Sequence, residues 1–345
     1  MDGETAIALV TLTAGIVALY VGAELLVAGA GRIAHGVGLR AATVGVTVIA
    51  LVTTAPELFV AMIGALNVDP DVGLGAVLGS NIANVGLVLG LAALIRPLRV
   101  TDTVMRRHVP FMILAAVLCY GLAAFDGQLG RVDGVIMLAV LGTFTAYLVY
   151  YVNADPAPVA DESVGAGDST AGEAPVGSDD AVEGADPKGR PHPTARYGIG
   201  VRDVALVVAG LVALVVGSRW LVSGGTTLLS EMGFSSLFIG LTVLALGTSL
   251  PELAASVVGA IRGETGFAIG NVVGSNIYNV LAVLGIVAVV VPIPVSTGTL
   301  RFELPAMVAF TLLVVGLMWH GRRLSRVDGA ILVGAYVVFV YLLFP

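Results

Sequence analysis

The sequence predicts an all-α membrane protein of ten transmembrane helices, built as two inverted five-helix repeats with broken second and seventh helices. Of its 345 residues, 57% are apolar and only 12% charged, whereas a soluble domain is about 25% charged. Its mean hydropathy is +0.98. The second half repeats the first at a constant offset of 195 residues, with 19 of 41 positions identical between Ala50 and Gly90.

Composition also excludes several classes of function. The net charge of −7 argues against a nucleic-acid partner, because nucleic-acid binding needs a basic surface. Cys119 is the single cysteine, so the chain has neither a disulfide framework nor a thiolate metal cluster. We expect no cofactor and no obligatory protein partner; the expected partners are inorganic cations and the lipid bilayer.

Apolar runs of about 20 residues, the length that crosses a bilayer, occur five times in each half. They span 5–30, 41–66, 72–95, 109–125 and 132–152, and then 203–226, 236–261, 267–291, 303–319 and 327–344. The first repeat therefore occupies 1–152 and the second 201–345. Between them, residues 153–200 hold nine acidic residues among Gly, Ala, Pro and Ser. That composition predicts a disordered acidic loop.

The distribution of basic residues predicts the orientation. An odd number of spans per repeat makes the second repeat enter the membrane from the opposite side, as in transporters with inverted repeats. With the N-terminus outside, fourteen of the 17 lysines and arginines fall on the inner side and two on the outer. This satisfies the positive-inside rule, so we expect a multi-pass cell-membrane protein with extracellular termini and a cytoplasmic acidic loop.

Small residues recur every four positions in the first and sixth spans. They are Ala14, Ala18 and Gly22, and then Ala209, Ala213 and Gly217. Such faces let membrane helices pack closely. The pattern leaves open whether that packing permits sliding or is static.

The second and seventh spans carry the unusual chemistry. Residues 50–57 read Ala-Leu-Val-Thr-Thr-Ala-Pro-Glu, and residues 245–252 read Ala-Leu-Gly-Thr-Ser-Leu-Pro-Glu. A carboxylate at a bilayer centre costs about 2.5 kcal/mol or more, and proline breaks a helix by removing a donor. Two copies of so costly a pattern predict one site built from both halves, with Glu57 and Glu252 at its centre.

The following helix of each half adds neutral oxygen donors. Gly-Ser-Asn-Ile-Ala-Asn at 79–84 places Ser80 and Asn84 on one face, and residues 274–279 place Ser275 and Asn279 likewise. Asn81 and Asn276 point elsewhere, and we expect them to hydrogen-bond between helices. An all-oxygen set with two carboxylates suits Ca²⁺ or Na⁺ rather than a soft metal. Competition of both ions for the same carboxylates would give exchange.

These paired motifs resemble the two α-repeats of the cation/Ca²⁺ exchanger superfamily, and the chain is most similar to its prokaryotic sodium/calcium exchanger branch. The resemblance covers all ten spans. It implies an eight-helix core crossed by long, tilted, mobile first and sixth helices. It also implies a secondary antiporter that exchanges Ca²⁺ for Na⁺ by alternating access, and not an enzyme.

The resemblance also implies the ligands, with Ca²⁺ and Na⁺ as transported substrates. The calcium site comprises Thr53, Glu57, Thr248 and Glu252. One sodium site comprises Ala50, Thr53, Thr54, Glu57 and Ser275, and the other Ala245, Thr248, Ser249, Glu252 and Ser80. A middle position is lined by Asn84, Glu57, Glu252 and Asn279.

One departure leaves the coupling ion open. Asn279 stands where sodium/calcium exchangers often carry aspartate, so three Na⁺ would exceed the charge of two glutamates. A Ca²⁺/H⁺ or K⁺-dependent exchanger of the same fold is therefore the alternative. An intramembrane hydrolase with Glu57 and Glu252 as an acid–base pair is disfavoured, because its histidine-rich zinc motif and its paired-aspartate signature are both missing and the broken helices favour ion ligation.

Overall fold

The computed structural model describes residues 3–37, 46, 50–67, 70–154, 200–232, 247 and 249–343. Within them, eight helices are long and apolar enough to cross a bilayer. These are Glu4–Ile33, Gly73–Ile95, Val104–Asp126, Arg131–Leu148, Val201–Gly225, Thr265–Val290, Thr297–Gly321 and Arg326–Leu343. The predicted spans 41–66 and 236–261 lie partly outside the described residues, as does nearly all of the acidic loop.

Most elements of the first half recur in the same order in the second half. The first contains α1 (Gly3–Val37), α2 (Ala50–Thr53), α3 (Ala55–Asn67), α4 (Pro70–Ala83), α5 (Gly90–Ile95), α6 (Val109–Asp126) and α7 (Arg131–Ala154). The second contains α8 (Val201–Glu231), α9 (Leu250–Arg262), α10 (Thr265–Tyr278), α11 (Gly285–Val290), α12 (Thr297–Arg301), α13 (Glu303–Gly321) and α14 (Arg326–Leu343). π-helical turns join α4 to α5 (Asn84–Leu89) and α10 to α11 (Asn279–Leu284), and a third, Val104–His108, precedes α6.

The helix ends follow the sequence. Asp133 and Asp328, which are equivalent in the repeat, cap α7 and α14 by accepting from the backbone N–H of Gly130 and Ser325, each at 2.7 Å. Gly127 after α6 has a φ of 77°, the left-handed conformation that ends a helix and that glycine adopts without steric cost. Paired caps at paired positions show that the repeat extends to the helix termini.

The described residues include four two-residue strands, which the all-α prediction does not contain. They are β1 (Leu98–Arg99), β2 (Gln128–Leu129), β3 (Ile293–Pro294) and β4 (Arg323–Leu324). Strand β1 pairs with β4, and β2 pairs with β3, both antiparallel. Each strand pair therefore links a segment between two helices of one half to a segment between two helices of the other half.

The long helices α1 and α8 pack against each other through a seam of glycines spaced seven residues apart. A methyl group on Gly22 would lie 2.8 Å from the carbonyl oxygen of Gly210, and one on Gly217 would lie 2.9 Å from that of Gly15. Ala18 and Ala213 also lie in this contact, so the predicted close packing of the small-residue faces is confirmed. We call this contact the glycine seam.

The α1–α8 pair lies outside the main core. The main hydrophobic core gathers residues of α3 to α7 and of α10 to α14 together with Ala260 of α9, whereas α1 and α8 share a separate cluster with other residues of α9 and Phe267. With 35 residues, α1 is about 52 Å long, more than the ~30 Å hydrocarbon thickness. It must therefore tilt or project beyond the bilayer core.

Candidate cation-binding site

The broken second and seventh helices are interrupted at equivalent residues. Helix α2 ends at Thr53, Thr54 forms a turn, and α3 begins at Ala55; in the second half Ser249 forms the turn before α9. Pro56 and Pro251 lie in the first turns after these breaks. Each lacks an N–H, so the carbonyl four residues earlier loses its helical donor.

One of these freed carbonyls has a partner from another helix. Pro251 cannot donate to the carbonyl oxygen of Gly247, and the buried hydroxyl of Ser218 on α8 donates to it instead. The equivalent of Ser218 in the first half is Ala23, which has no hydroxyl. The contact between a long outer helix and a helix break therefore exists in one half only among the described residues.

The two glutamates lie at the starts of the helices that follow the breaks. Glu57 is in the first turn of α3 and Glu252 in the first turn of α9, where the helix dipole favours a negative charge. Both side chains are buried. They lie close enough for the charge of Glu252 to act on Glu57. The structure thus brings both predicted carboxylates into one site.

Hydroxyl groups from both halves converge on Glu252. Ser275 donates to Glu252 Oε1 at 3.4 Å, and the hydroxyl of Thr53 lies near enough to act on this carboxylate. Thr53 lies 3.3 Å from the carbonyl oxygen of Ala50 as well, and that oxygen accepts from the backbone N–H of Thr54 at 3.0 Å. Thr53 therefore links the first half to the glutamate of the second.

Many oxygens of the predicted ligands have no hydrogen-bond partner among the described residues. Seven side-chain oxygens are in this state: both of Glu57, Oε2 of Glu252, the hydroxyls of Thr54 and Ser249, and the amide oxygens of Asn84 and Asn279. Burying such groups without partners costs about 1–3 kcal/mol each, and hard cations such as Ca²⁺ take six to eight oxygen ligands. The donor set fits a hard cation as transported substrate.

Asparagines hold the two halves together beside the glutamates. Asn276 donates to the backbone oxygen of Asn81 at 3.2 Å, and Asn279 donates to Asn81 Oδ1 at 3.2 Å. The expected helix-to-helix hydrogen bonding of Asn81 and Asn276 is thus confirmed. Asn84 and Asn279 each begin a π-helical turn, a distortion that frequently marks functional sites.

The remaining predicted ligands are placed only in part. Ala50 and Ser80 are buried in the described site region, and Gly274 of α10 approaches Ala50 so closely that a methyl group on the glycine would lie 2.6 Å from its Cβ. Ala245 and Thr248 lie outside the described residues. Of the second predicted sodium position, the described residues include Ser249, Glu252 and Ser80.

Sequence reasoning missed a buried polar pair next to Glu252. Asn271 donates from Nδ2 to the Ser256 hydroxyl at 3.1 Å and to the backbone oxygen of Glu252 at 3.4 Å. Their repeat equivalents are Ala61 and Ala76, so a search for duplicated residues could not find them. Their spacing was the available signal, since each lies four residues from a predicted ligand of its own helix.

A multi-pass helical membrane protein with a buried, oxygen-rich, carboxylate-containing site belongs to the class of ion transporters. Comparison with known proteins makes the class specific. Residues 7–150 and 203–344 match the sodium/calcium exchanger protein family. The chain belongs to this family, whose members are secondary transporters and not enzymes.

Relatives of similar length support the assignment. The chain is 36% identical over 304 residues to the putative antiporter CaxA of Alkalimonas amylolytica, covering 87% of each chain. It is 28% identical over 324 residues to the sodium/calcium exchanger MaX1 of Methanosarcina acetivorans, covering 87% of this chain and 88% of that one. A solved structure of the sodium-calcium exchanger NCX_Mj matches with a TM-score of 0.77 and 25% identity, covering 98% of this chain and 99% of that one. Together they identify a cation/Ca²⁺ antiporter of the prokaryotic branch.

Proposed function

We propose that this protein exchanges Ca²⁺ for Na⁺ across the cell membrane by alternating access, with Ca²⁺ held between Glu57 and Glu252. The observation that carries this proposal is the convergence of two buried carboxylates with four further unpartnered oxygens of the described ligands. Because two unneutralised carboxylates are costly in a membrane interior, an empty carrier would cross between states slowly. A cation must then leave one side for another to return, which is exchange.

The proposed ligands are those that the family resemblance implies. Ca²⁺ would bind Thr53, Glu57, Thr248 and Glu252, and the sodium or shared positions would use Ala50, Thr54, Ser80, Asn84, Ala245, Ser249, Ser275 and Asn279. The hydrogen bond of Ser275 to Glu252 and the proximity of Thr53 to the same carboxylate support sharing of one carboxylate between neighbouring positions. No cofactor is needed, because the cations are themselves the substrates.

The proposed architecture is ten helices in two inverted repeats, 1–152 and 201–345, joined by the acidic loop 153–200. The strand pairs support inversion. The repeat makes β1 equivalent to β3, yet β1 pairs with β4 while β3 pairs with β2. One membrane-capable helix, Val104–Asp126, separates β1 from β2. Equivalent strands therefore lie at opposite ends of the helices, as inverted halves require.

The proposed orientation places both termini outside and the acidic loop in the cytoplasm. Ion pairs and hydrogen bonds support the placement of several basic residues together on the cytoplasmic side of the membrane. Arg32 pairs with Asp203 at 3.8 Å, Arg262 pairs with Glu24, and Arg96 donates to the backbone oxygen of Ile261 at 3.4 Å. Each contact joins two groups that the positive-inside prediction places in the inner half of the membrane.

Purified protein in liposomes tests the coupling ion directly. Calcium uptake is measured with an outward Na⁺ gradient, an outward H⁺ gradient or an outward K⁺ gradient, each with the other ions balanced. We expect the Na⁺ gradient alone to drive uptake. Uptake that ignores Na⁺ and follows H⁺ or K⁺ would establish the alternative exchanger, and uptake under none of the gradients would refute calcium exchange.

A further inference from the structure

The buried pair of Asn271 and Ser256 makes the site asymmetric. Both side chains are fully buried. Ser256 lies four residues after Glu252 on α9, and Asn271 lies four residues before Ser275 on α10, which is about 6 Å along each helix. The pair therefore forms a second polar layer beside the ligand layer, on the side of Arg262, where α9 ends.

Among the described residues, the equivalent positions on the opposite side of the site form no such polar pair. Ala61 and Ala76 occupy the equivalent positions in α3 and α4, and neither side chain offers a polar atom. The two motifs that build the central site are closely matched, so this difference is not a general drift of the repeat. The layer beside the glutamates therefore offers an amide and a hydroxyl on one side, where the equivalent positions of the other half offer only methyl groups.

The orientation of the Asn271 amide is fixed by its partners. The backbone oxygen of Glu252 can only accept, so Asn271 Nδ2 faces it at 3.4 Å and faces the Ser256 hydroxyl at 3.1 Å. The amide oxygen then points away from both, and it has no hydrogen-bond partner among the described residues. A buried, unpartnered amide oxygen calls for an explanation, and amide oxygens are good ligands for hard cations.

On the basis of the exchange function proposed above, we propose that the Asn271 amide oxygen is an accessory ligand for Ca²⁺ or Na⁺ on the Arg262 side of the site. Ser256 is a positioning residue that holds the amide in place. The cation contacts this oxygen as it moves between the glutamates and that side. In the proposed orientation this side faces the cytoplasm, so the ligand serves cytoplasmic and not extracellular exchange.

Sided transport measurements test this assignment. Calcium dependence of Na⁺-driven uptake is measured in inside-out and right-side-out membrane vesicles that contain wild type, Asn271→Ala, Ser256→Ala or Ala76→Asn. For Asn271→Ala we expect the half-saturating Ca²⁺ concentration to rise about three- to tenfold in inside-out vesicles and to stay unchanged in right-side-out vesicles. Ser256→Ala, which keeps the amide oxygen, should give a smaller shift of the same sidedness.

The two vesicle orientations provide the internal control, because a folding defect would act in both. Equal shifts in both orientations, or no shift in either, would overturn the assignment. If Asn271→Ala does not accumulate, Ala76→Asn decides: it should lower the half-saturating concentration in right-side-out vesicles, and no change there would overturn the proposal. Failure of the wild type to take up Ca²⁺ under a Na⁺ gradient would refute the exchange function itself. This outcome is distinct from a failure of the Asn271 assignment, which appears only as a difference between variants and wild type.

Discussion

Replacing Ser218 by alanine should shift the balance between the two access states of the carrier. Ser218 on α8 supplies the donor for the Gly247 carbonyl that Pro251 leaves without one. Removing the partner of a buried acceptor costs about 1–3 kcal/mol, whereas hydrogen bonds inside membranes average about 0.6 and reach about 1.7 kcal/mol. A loss of about 1–2 kcal/mol lowers the population of the state that contains this contact roughly 5- to 30-fold.

The assay is the half-saturating Ca²⁺ concentration on each side, measured in inside-out and right-side-out vesicles. A shift between access states raises the concentration on one side and lowers it on the other, because binding is weakened by the fraction of carrier facing away. Ser223→Ala, at an exposed position of the same helix, should change neither value. Ala23→Ser, at the repeat-equivalent position, should act in the opposite direction. Parallel changes on both sides for Ser218→Ala, or none, would refute the coupling of α8 to the helix break.

Further predictions concern the central site and its packing. Glu57→Gln and Glu252→Gln should each abolish calcium exchange, because one remaining carboxylate supplies half of the charge of Ca²⁺; retained calcium flux in both variants would eliminate the two-glutamate site. Asn279→Asp loses the N–H that donates to Asn81 and adds a third carboxylate. The Na⁺ dependence and the charge moved per Ca²⁺ should therefore change more than the calcium affinity. An unchanged Na⁺ dependence would argue against a ligand at this position. Gly274→Ala should lower the free energy of unfolding by about 1–3 kcal/mol, since its methyl group would lie 2.6 Å from the Cβ of Ala50. Gly316→Ala, which meets no atom within 4 Å, is the matched control, and equal stability of the two variants would contradict the close contact.

The repeat made much of this molecule predictable. Glu57 and Glu252 stand out because a carboxylate in an apolar run is costly, and its duplication at equivalent positions indicates one site built from both halves. The helix breaks at Thr54 and Ser249 follow from the prolines two residues later. The helix order follows from runs of apolar residues.

What the sequence did not reveal depends on asymmetry or on contacts between distant residues. Ser218, Ser256 and Asn271 have alanines as repeat equivalents, so duplication gives no signal for them. The two-residue strands are too short to show an alternating pattern. The close contacts between α1 and α8 follow glycines seven residues apart, whereas the small residues of the sequence pattern recur every four. Both spacings place residues on one helix face, and only the structure shows which of them meet.

The glycine seam has a consequence for how the chain assembles. Gly15 meets Gly217 while Gly22 meets Gly210, and exchanging the halves converts one contact into the other. Two copies of a half-length chain, inserted in opposite directions, would form the same pair of glycine contacts. Gene duplication followed by fusion would preserve such an interface unchanged. The two halves, expressed as separate polypeptides divided within 153–200, have in this seam a means of recognising each other.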